Sequence, residues 1–301
     1  MTGTATPAAA RTTPEPAAQS HRVSTMRRFL SDRMAVAAVV YLVLLILAAV
    51  FAPVLAPADP IAQDLAKRLT PPDGTYLLGT DDLGRDQLSR LLYGARVSLL
   101  AALEAVAVGV VVGVPLGALA GYVGGRVDTV IGRVMDSIMS IPGIMLALTA
   151  VAVLGRDITI AMMAIGVVLV PQFQRLVRAS TQALRNETFV EASRTIGCSR
   201  SRILLRHILP NVLPVLVVQM SVMLGVAVTA EASLSFLGVG VQPPAPSWGS
   251  MLNNAVANTF TAPYLIYPPG LAITLTVLAL ALVGDGLRKA TSIRRRSGEG
   301  R

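Results

Sequence analysis

The sequence holds one cysteine, Cys198, and two histidines. A single thiol excludes an internal disulfide framework and a thiolate metal cluster, so no metal site is expected. His21 and His207 lie far apart, and neither sits in an apolar stretch. Lysine is nearly absent: Lys67 and Lys289 are the only two, and no glycine precedes either. The phosphate-cradling loop G-x-x-x-x-G-K is therefore missing, and ATP hydrolysis by this chain is not expected. H-E-x-x-H and G-x-S-x-G are missing too, which disfavours a zinc hydrolase or a membrane serine hydrolase. Charge is scarce, at 14% of 301 residues, against 53% hydrophobic residues. Those proportions suit a membrane protein better than a soluble one.

The apolar residues come in runs. The first, 34–56, is 23 residues without a charge; about 20 suffice to cross a bilayer. It is too long and too far from the start for a signal peptide, and reads as a retained first helix. Further spans are expected near 97–123, 135–154, 158–173, 212–234 and 269–287. Residues 1–33, rich in Ala, Thr and Pro, read as a disordered arm. A polar outer loop fills 57–94, a transmembrane domain 95–289, and a basic tail 290–301. A tight turn at 155–157 joins the third and fourth spans.

Six spans put both termini on one side. That side collects 20 of the 26 basic residues, and the other side six. The positive-inside rule then makes both termini cytoplasmic, in a multi-pass protein of the cell membrane. Topology and contact with membrane lipids account for the net charge of +9, so no nucleic acid is needed. In the second span Gly109, Gly113, Gly117 and Gly121 recur at every fourth position, a smooth face for close helix packing. The spans contain few carboxylates: Glu104, Asp136, Glu231 and Asp285. Each is a candidate for a partner or a pathway, with pairing favoured. Asp136 and Asp285 fall near the cytoplasmic ends, Glu231 near the outer surface, and Glu104 deepest. The segment TDDLGRD at 80–86 lacks the ligand spacing of a calcium loop and reads as a polar turn. The single tryptophan, Trp248, is placed at the outer membrane interface.

One segment breaks the apolar pattern. EASRTIGCSRSRILLRHILPN, 191–211, carries Arg194, Arg200, Arg202, Arg206 and His207 between two spans. Thr188 to Glu191 fits a capping box. Gly197 offers a left-handed stop, Ser199 can cap a second helix to about Leu209, and Pro210 and Pro214 mark re-entry into the membrane. The pattern alone leaves two readings open: an interfacial helix with Arg facing lipid phosphate, or a knob that docks on a protein.

EASRTIG followed by HILPN resembles the EAA signature of ABC-importer permeases, with Ser193 in place of the second Ala. LGTDDLGRDQLSRLLYGARVSL at 78–99, EASLSFLGVGVQPPAPSWGSML at 231–252 and LVGDGLR at 282–288 resemble one branch, the dipeptide, oligopeptide and nickel permeases. The resemblance runs from 34 to 289 and is similar to the second permease subunit of that branch. It implies an all-α integral membrane fold of type I, six transmembrane helices and a cytoplasmic coupling helix within 188–211. It implies that Glu191, Ala192, Ser193, Gly197, Cys198, Arg200, Leu209 and Pro210 couple to an ATPase. Glu104, Glu231, Gln242 and Trp248 are candidates for the translocation path or a gate. The implied partners are a paralogous permease, two ATPase subunits that bind ATP and Mg, a substrate-binding protein and a peptide cargo. Nickel or glutathione is the alternative cargo, and a passive channel or scaffold subunit the alternative class.

Overall fold

The computed structural model describes residues 20–292, and among these it is built from helices with no strand. The described part of the N-terminal arm is helical: α1 spans Ser20–Ser31. Residues 1–19 and 293–301, most of the expected arm and tail, lie outside the described residues. Asp32 then caps α2, Arg33–Val50, by accepting hydrogen bonds from the backbone N–H groups of Met34 and Ala35. A short turn, α3 at Ala52–Leu55, ends the first run.

Helix α4, Gln87–Val123, begins ten residues before the expected span because Asp86 caps it inside the polar loop. At 1.5 Å per residue it extends about 55 Å, well beyond an apolar layer of about 30 Å. Helix α7, Ile158–Leu184, likewise outruns its expected end at 173. Its start is the predicted tight turn, with Asp157 accepting a hydrogen bond from the Thr159 N–H. Pro115 and Pro171 lie inside these two helices without ending them. Neighbouring helices support such prolines in membrane proteins.

The third expected span, 135–154, is not one helix. It divides into α5, Gly125–Met139, and α6, Gly143–Leu154, bent by 79°. Pro142 lacks the N–H that would continue the ladder, and its ring drives the preceding residue out of helical geometry. Helix α6 alone rises only about 18 Å, too short to cross. Among the described residues five helices are long and apolar enough to span a membrane, and six spans result if the bent pair counts as one.

A short α8, Thr188–Thr195, follows α7. Next, α9 at Arg200–Ile203, a π turn at Leu204–Ile208 and α10 at Leu209–Phe236 form one unbroken rod. Pro210 and Pro214, the expected marks of re-entry, lie in the first two turns of α10. The wider π turn, with the Leu209 N–H donating to the Leu204 carbonyl, accommodates the missing donor. Two helices complete the described chain: α11, Trp248–Ala257, and α12, Tyr267–Ser292.

The core is the pairing of α4 with α7. All four predicted glycines face α7. A β-carbon at Gly109 would lie 2.9 Å from the Phe173 ring, one at Gly113 2.7 Å from the Val170 carbonyl oxygen, and one at Gly121 2.6 Å from that of Arg178. Gly166 of α7 returns the contact, packed against Ala105 and Val108 of α4. Backbones this close gain dispersion along their whole length, the main attraction available in lipid. Tyr41 of α2 meets Thr276 of α12 at 3.3 Å, and Ser221 of α10 donates to the Leu280 carbonyl of α12 at 2.6 Å. Val40, Leu44 and Leu47 on α2, with Leu271, Leu275 and Leu278 on α12, stay exposed, as suits a surface against lipid or another apolar chain.

Candidate functional site

The α4–α7 spine carries a different assembly at each end. At one end is the connector of α8 and α9. Val190 and Ser193, three residues apart on α8, are buried; Glu191, Ala192, Thr195 and Ile196 are exposed. The cap of α8 is Glu187, one residue before the helix, and its side chain makes no capping bond. Thr188 is therefore inside the helix, and the expected capping box does not form. The far end matches expectation. Gly197 has φ +80°, its N–H donates to the Arg194 carbonyl at 3.0 Å, and the Cys198 N–H donates to the Ser193 carbonyl at 3.0 Å. These two bonds close a Schellman motif, which needs a left-handed residue at this position. Ser199 caps α9 by accepting from the Arg202 N–H.

The connector joins the core through a few side chains. Val190, Ile203 and Ile208 are fully buried. Ser193 donates to the Phe189 carbonyl at 2.7 Å, so the small polar side chain is satisfied where it is buried. The Arg194 guanidinium stands over the Tyr122 ring at the end of α4, 5.5 Å from its centroid. Half-buried Cys198 shares an open cleft of about 430 Å³ with Tyr122, Arg194 and Arg200. Leu209 is half-buried and Pro210 exposed. What projects is an apolar tip: Ile196 is 79% exposed and Phe189 40%. Nearby, Arg178 forms a bidentate pair with Asp128, and Arg175 meets Asp136 at 2.7 Å, fixing α5 against α7. Asp285 likewise pairs with Arg288, so both end-placed carboxylates have partners.

At the other end of the spine the long loops fold into a polar platform. Asp81 is buried: it accepts from the N–H groups of Leu83 and Arg85 at 3.0 and 2.9 Å and from Arg85 Nε at 2.7 Å, with Arg90 Nε at 3.4 Å. Arg90 also donates to the Pro60 carbonyl. The acidic segment is thus a polar turn, as expected, with the Asp81 charge met by arginines and backbone N–H groups. Further out, Asp73 accepts from the N–H groups of Tyr76 and Thr75, which hold its carboxyl below the usual range.

Glu231, near the loop end of α10, is fully buried. Its Oε1 accepts from Ser235 Oγ at 2.7 Å. The hydroxyls of Ser98 on α4 and Ser247 at the start of α11 flank the carboxyl, while Oε2 completes no bond of ordinary geometry. Ser98 also accepts from the Trp248 N–H, and Ser235 from that of Val241. Glu231 is therefore the centre of a knot joining α4, α10 and α11. Trp248 is enclosed by protein rather than exposed at a surface. It is 1% exposed, and its indole N–H donates to the Leu91 carbonyl at 3.2 Å. Gln242 lies in the adjoining loop, its amide donating to the Gly238 and Gly240 carbonyls. Glu104 is apart from this group: it is exposed on α4 and makes no hydrogen bond or ion pair among the described residues.

This form, a glycine-packed helix pair with a helical connector at one end and a loop platform at the other, has known counterparts. Residues 113–297 match the family described as binding-protein-dependent transport system inner membrane component. The chain belongs to that family. Residues 22–72 match the N-terminal TM domain of oligopeptide transport permease C. The glutathione transport system permease protein GsiD of Shigella flexneri serotype 5b is 48% identical over 265 residues, covering 88% of both chains. GsiD of Shigella sonnei is 46% identical over the same length and coverage. The fold is similar to that of the MetNI methionine ABC transporter in its inward-facing state: TM-score 0.53, 20% identity, 67% of this chain and 96% of that one. A second such structure gives TM-score 0.55 at 21% identity. The chain is thus a multi-pass membrane permease subunit of an ABC importer, in the peptide-transport branch, with a type I permease fold.

The permease brings Glu231, Trp248 and Gln242 together at the platform and leaves Glu104 alone. The coupling candidates fall on α8, the turn after it, α9 and the start of α10. The sequence reading missed Ser98, Ser235 and Ser247, the buried arginines Arg85 and Arg90, and Tyr122 under Arg194. Hydroxyls in apolar stretches near a carboxylate were the available signal, since buried carboxylates in membranes pair or hydrogen-bond.

Proposed function

We propose that this permease moves short peptides, with glutathione as the specific alternative, into the cytoplasm on ATP hydrolysed by partner chains. The connector end faces the cytoplasm with both termini, as the basic excess favours. The platform faces outward, towards a substrate-binding protein. The exposed tip of α8, with Glu191, Ala192, Phe189 and Ile196, seats in a cleft of an ABC ATPase that holds ATP and Mg. A paralogous permease completes the path, and two ATPases serve the pair. This chain makes and breaks no bond in the cargo.

The observation that carries this reading is the contrast within α8. Its inner face reaches the core through buried Val190 and meets Tyr122 of α4 through Arg194, while an apolar tip is offered outward. The one arginine of α8, Arg194, stands over the Tyr122 ring. ATP-driven motion of a seated partner is passed to α4 and α7 as to a rigid lever, biasing two states of the permease pair. The relatives named for glutathione transport support a small peptide as cargo.

The test is uptake by the complete importer in vesicles with binding protein outside and ATP inside. ATP-dependent accumulation of labelled dialanine or glutathione is expected. Equilibration without ATP would indicate a passive channel, and accumulation of nickel alone would replace the peptide.

A further inference from the structure

A cleft of about 770 Å³ lies at the platform end of α4, between the chain that follows α3 and the 244–246 segment. Its size falls within the about 300–1,000 Å³ usual for small-molecule sites. Tyr93 and Val97 of α4 form one wall, prolines such as Pro57 and Pro246 much of the rest, and Asp59 is the one charged residue of the lining.

Tyr93 and Val97 begin a stripe that continues beyond the cleft. With Leu100, Glu104, Ala107 and Val111 they recur at alternating spacings of four and three, which sets all six along one side of α4. At about 100° per residue Glu104 is turned about 140° from Gly109, and so away from α7. Leu100, Glu104, Ala107 and Val111 are all exposed. Glu104 lies about 10 Å along the axis from Val97 and the cleft. Arg96, beside the stripe and also exposed, is about 12 Å back towards the platform. Like Glu104, it makes no hydrogen bond or ion pair with any described residue.

Lipid gives a carboxylate no solvation. Such a group within an apolar span faces a water-filled space or a partner group. The stripe is continuous with the cleft, which favours the water-filled space. Asp59 at the mouth and Glu104 at depth make that route attractive to a cation. An ammonium group has three donors and no lone pair, so it suits an unpaired carboxylate. The single positive charge on this side, Arg96, stands nearer the mouth. A peptide of three extended residues is about 10 Å long. Laid along α4 with its amino end inward, it sets its ammonium at Glu104 and its carboxylate near Arg96.

We propose that this stripe is a binding site for a short peptide that enters through the cleft, with Glu104 as the acceptor of its free α-ammonium. The proposal rests on the reading above, a peptide cargo and an outward platform, and adds the residue of this chain that meets the charged end of the cargo.

The experiment uses the complete importer in vesicles, with binding protein outside and ATP inside. Cys198→Ser removes the only thiol, and Ala107→Cys places one on the stripe, a turn from Glu104. Leu100→Cys repeats the measurement if the first variant fails to assemble. Labelling by a membrane-impermeant maleimide is followed with and without trialanine. Trialanine is expected to slow labelling several-fold. Glu104→Gln should abolish that protection and Glu104→Asp restore most of it. Undiminished protection in Glu104→Gln, or protection by the binding protein without peptide, overturns the site. So does a thiol that never labels, which would mean that the stripe is covered by the partner permease or by lipid. Trialanine uptake in the same vesicles separates the two claims. Uptake without protection removes the site and keeps the importer; protection without uptake keeps the site and removes the cargo reading.

Discussion

Gly113 of α4 lies directly against the backbone of α7: a β-carbon there would stand 2.7 Å from the Val170 carbonyl oxygen and 2.8 Å from the Phe173 β-carbon. Neither neighbour is the yielding end of a flexible side chain. Gly113→Leu must therefore push the helices apart over several turns. The expected cost is at the upper end of the about 1–3 kcal/mol typical of overpacking. Assembly yield and thermal stability of the purified importer should fall sharply, with Gly132→Leu, where nothing lies within 4 Å, as the tolerant control. Normal assembly of the Gly113 variant would mean that this helix pair is looser than described.

That glycine row was legible because spacing along one helix is local information. Its partner was not, since nothing local links Gly113 to Val170. The same division holds elsewhere. The stop at Gly197 and the cap at Ser199 were readable from a few adjacent residues, whereas the cap of α8 was misplaced by one position, from Glu187 to Thr188. Helix ends carry that margin. Pro142 signalled a break, but the apolar run on either side concealed it. Trp248 was assigned to the membrane interface by a rule about residue type. Its burial depends on Ser98 and Leu91, which approach only after α4 and α11 meet. The Glu231 knot was hidden for the same reason, because its hydroxyls come from three separated segments.

Glu231 should be needed for the platform. Glu231→Leu removes the acceptor for Ser235 and leaves buried hydroxyls around an apolar side chain. The loss is expected to be about 1–3 kcal/mol, the usual cost of an unsatisfied buried group. Glu231→Gln keeps one acceptor and should lose less. Protease sensitivity of the 237–247 loop reads this locally. Equal protection in wild type and Glu231→Leu would show that the knot does not hold it.

Lys289 donates to Asp32 at 3.0 Å, tying the start of α2 to the end of α12. This bond, and next the Ala35 N–H, hold the Asp32 carboxyl below its usual range. A lowered folded value means that the contribution is complete above the unfolded value of about 4 and is lost as pH falls through the folded value. The stability difference between wild type and Asp32→Asn should be flat from about pH 5 to 8 and shrink only below about pH 4. Melting curves of the detergent-solubilised importer check this. A difference that persists undiminished in acid would exclude the ion pair as its source.

The isolated permease should bind no ATP. It has no Gly-Lys phosphate loop, and such a loop supplies the N–H cradle and lysine for the phosphates. Equilibrium binding of a fluorescent ATP analogue to the purified subunit should show no saturable phase. Saturable, Mg-dependent binding would require a nucleotide site of another kind in this chain.

The last prediction concerns the connector. If its role is mechanical, shape and the exposed tip matter more than charge. Gly197 is left-handed at φ +80°, and valine resists that conformation, so Gly197→Val should distort the end of α8. Glu191 is exposed and does not close a capping box, so Glu191→Ala should leave the helix intact and act only through a partner. Ile196→Asp places a charge on the most exposed apolar side chain of the tip. All three variants should insert and fold, yet lose ATPase attachment or the link between ATP hydrolysis and uptake. Ile196→Asp should be the most severe, because it buries an unpaired charge in any docked state. An interfacial lipid helix makes the opposite forecast. There, removing Arg200, Arg202 and Arg206 weakens attraction to anionic lipid by about 1 kcal/mol for each charge, while the tip variants change little. The deciding measurement is uptake and ATP hydrolysis by the reconstituted importer for both sets. Loss of transport in the arginine set, with wild-type behaviour in all three tip variants, would rule out a docking knob and leave α8 and α9 as a membrane-surface anchor.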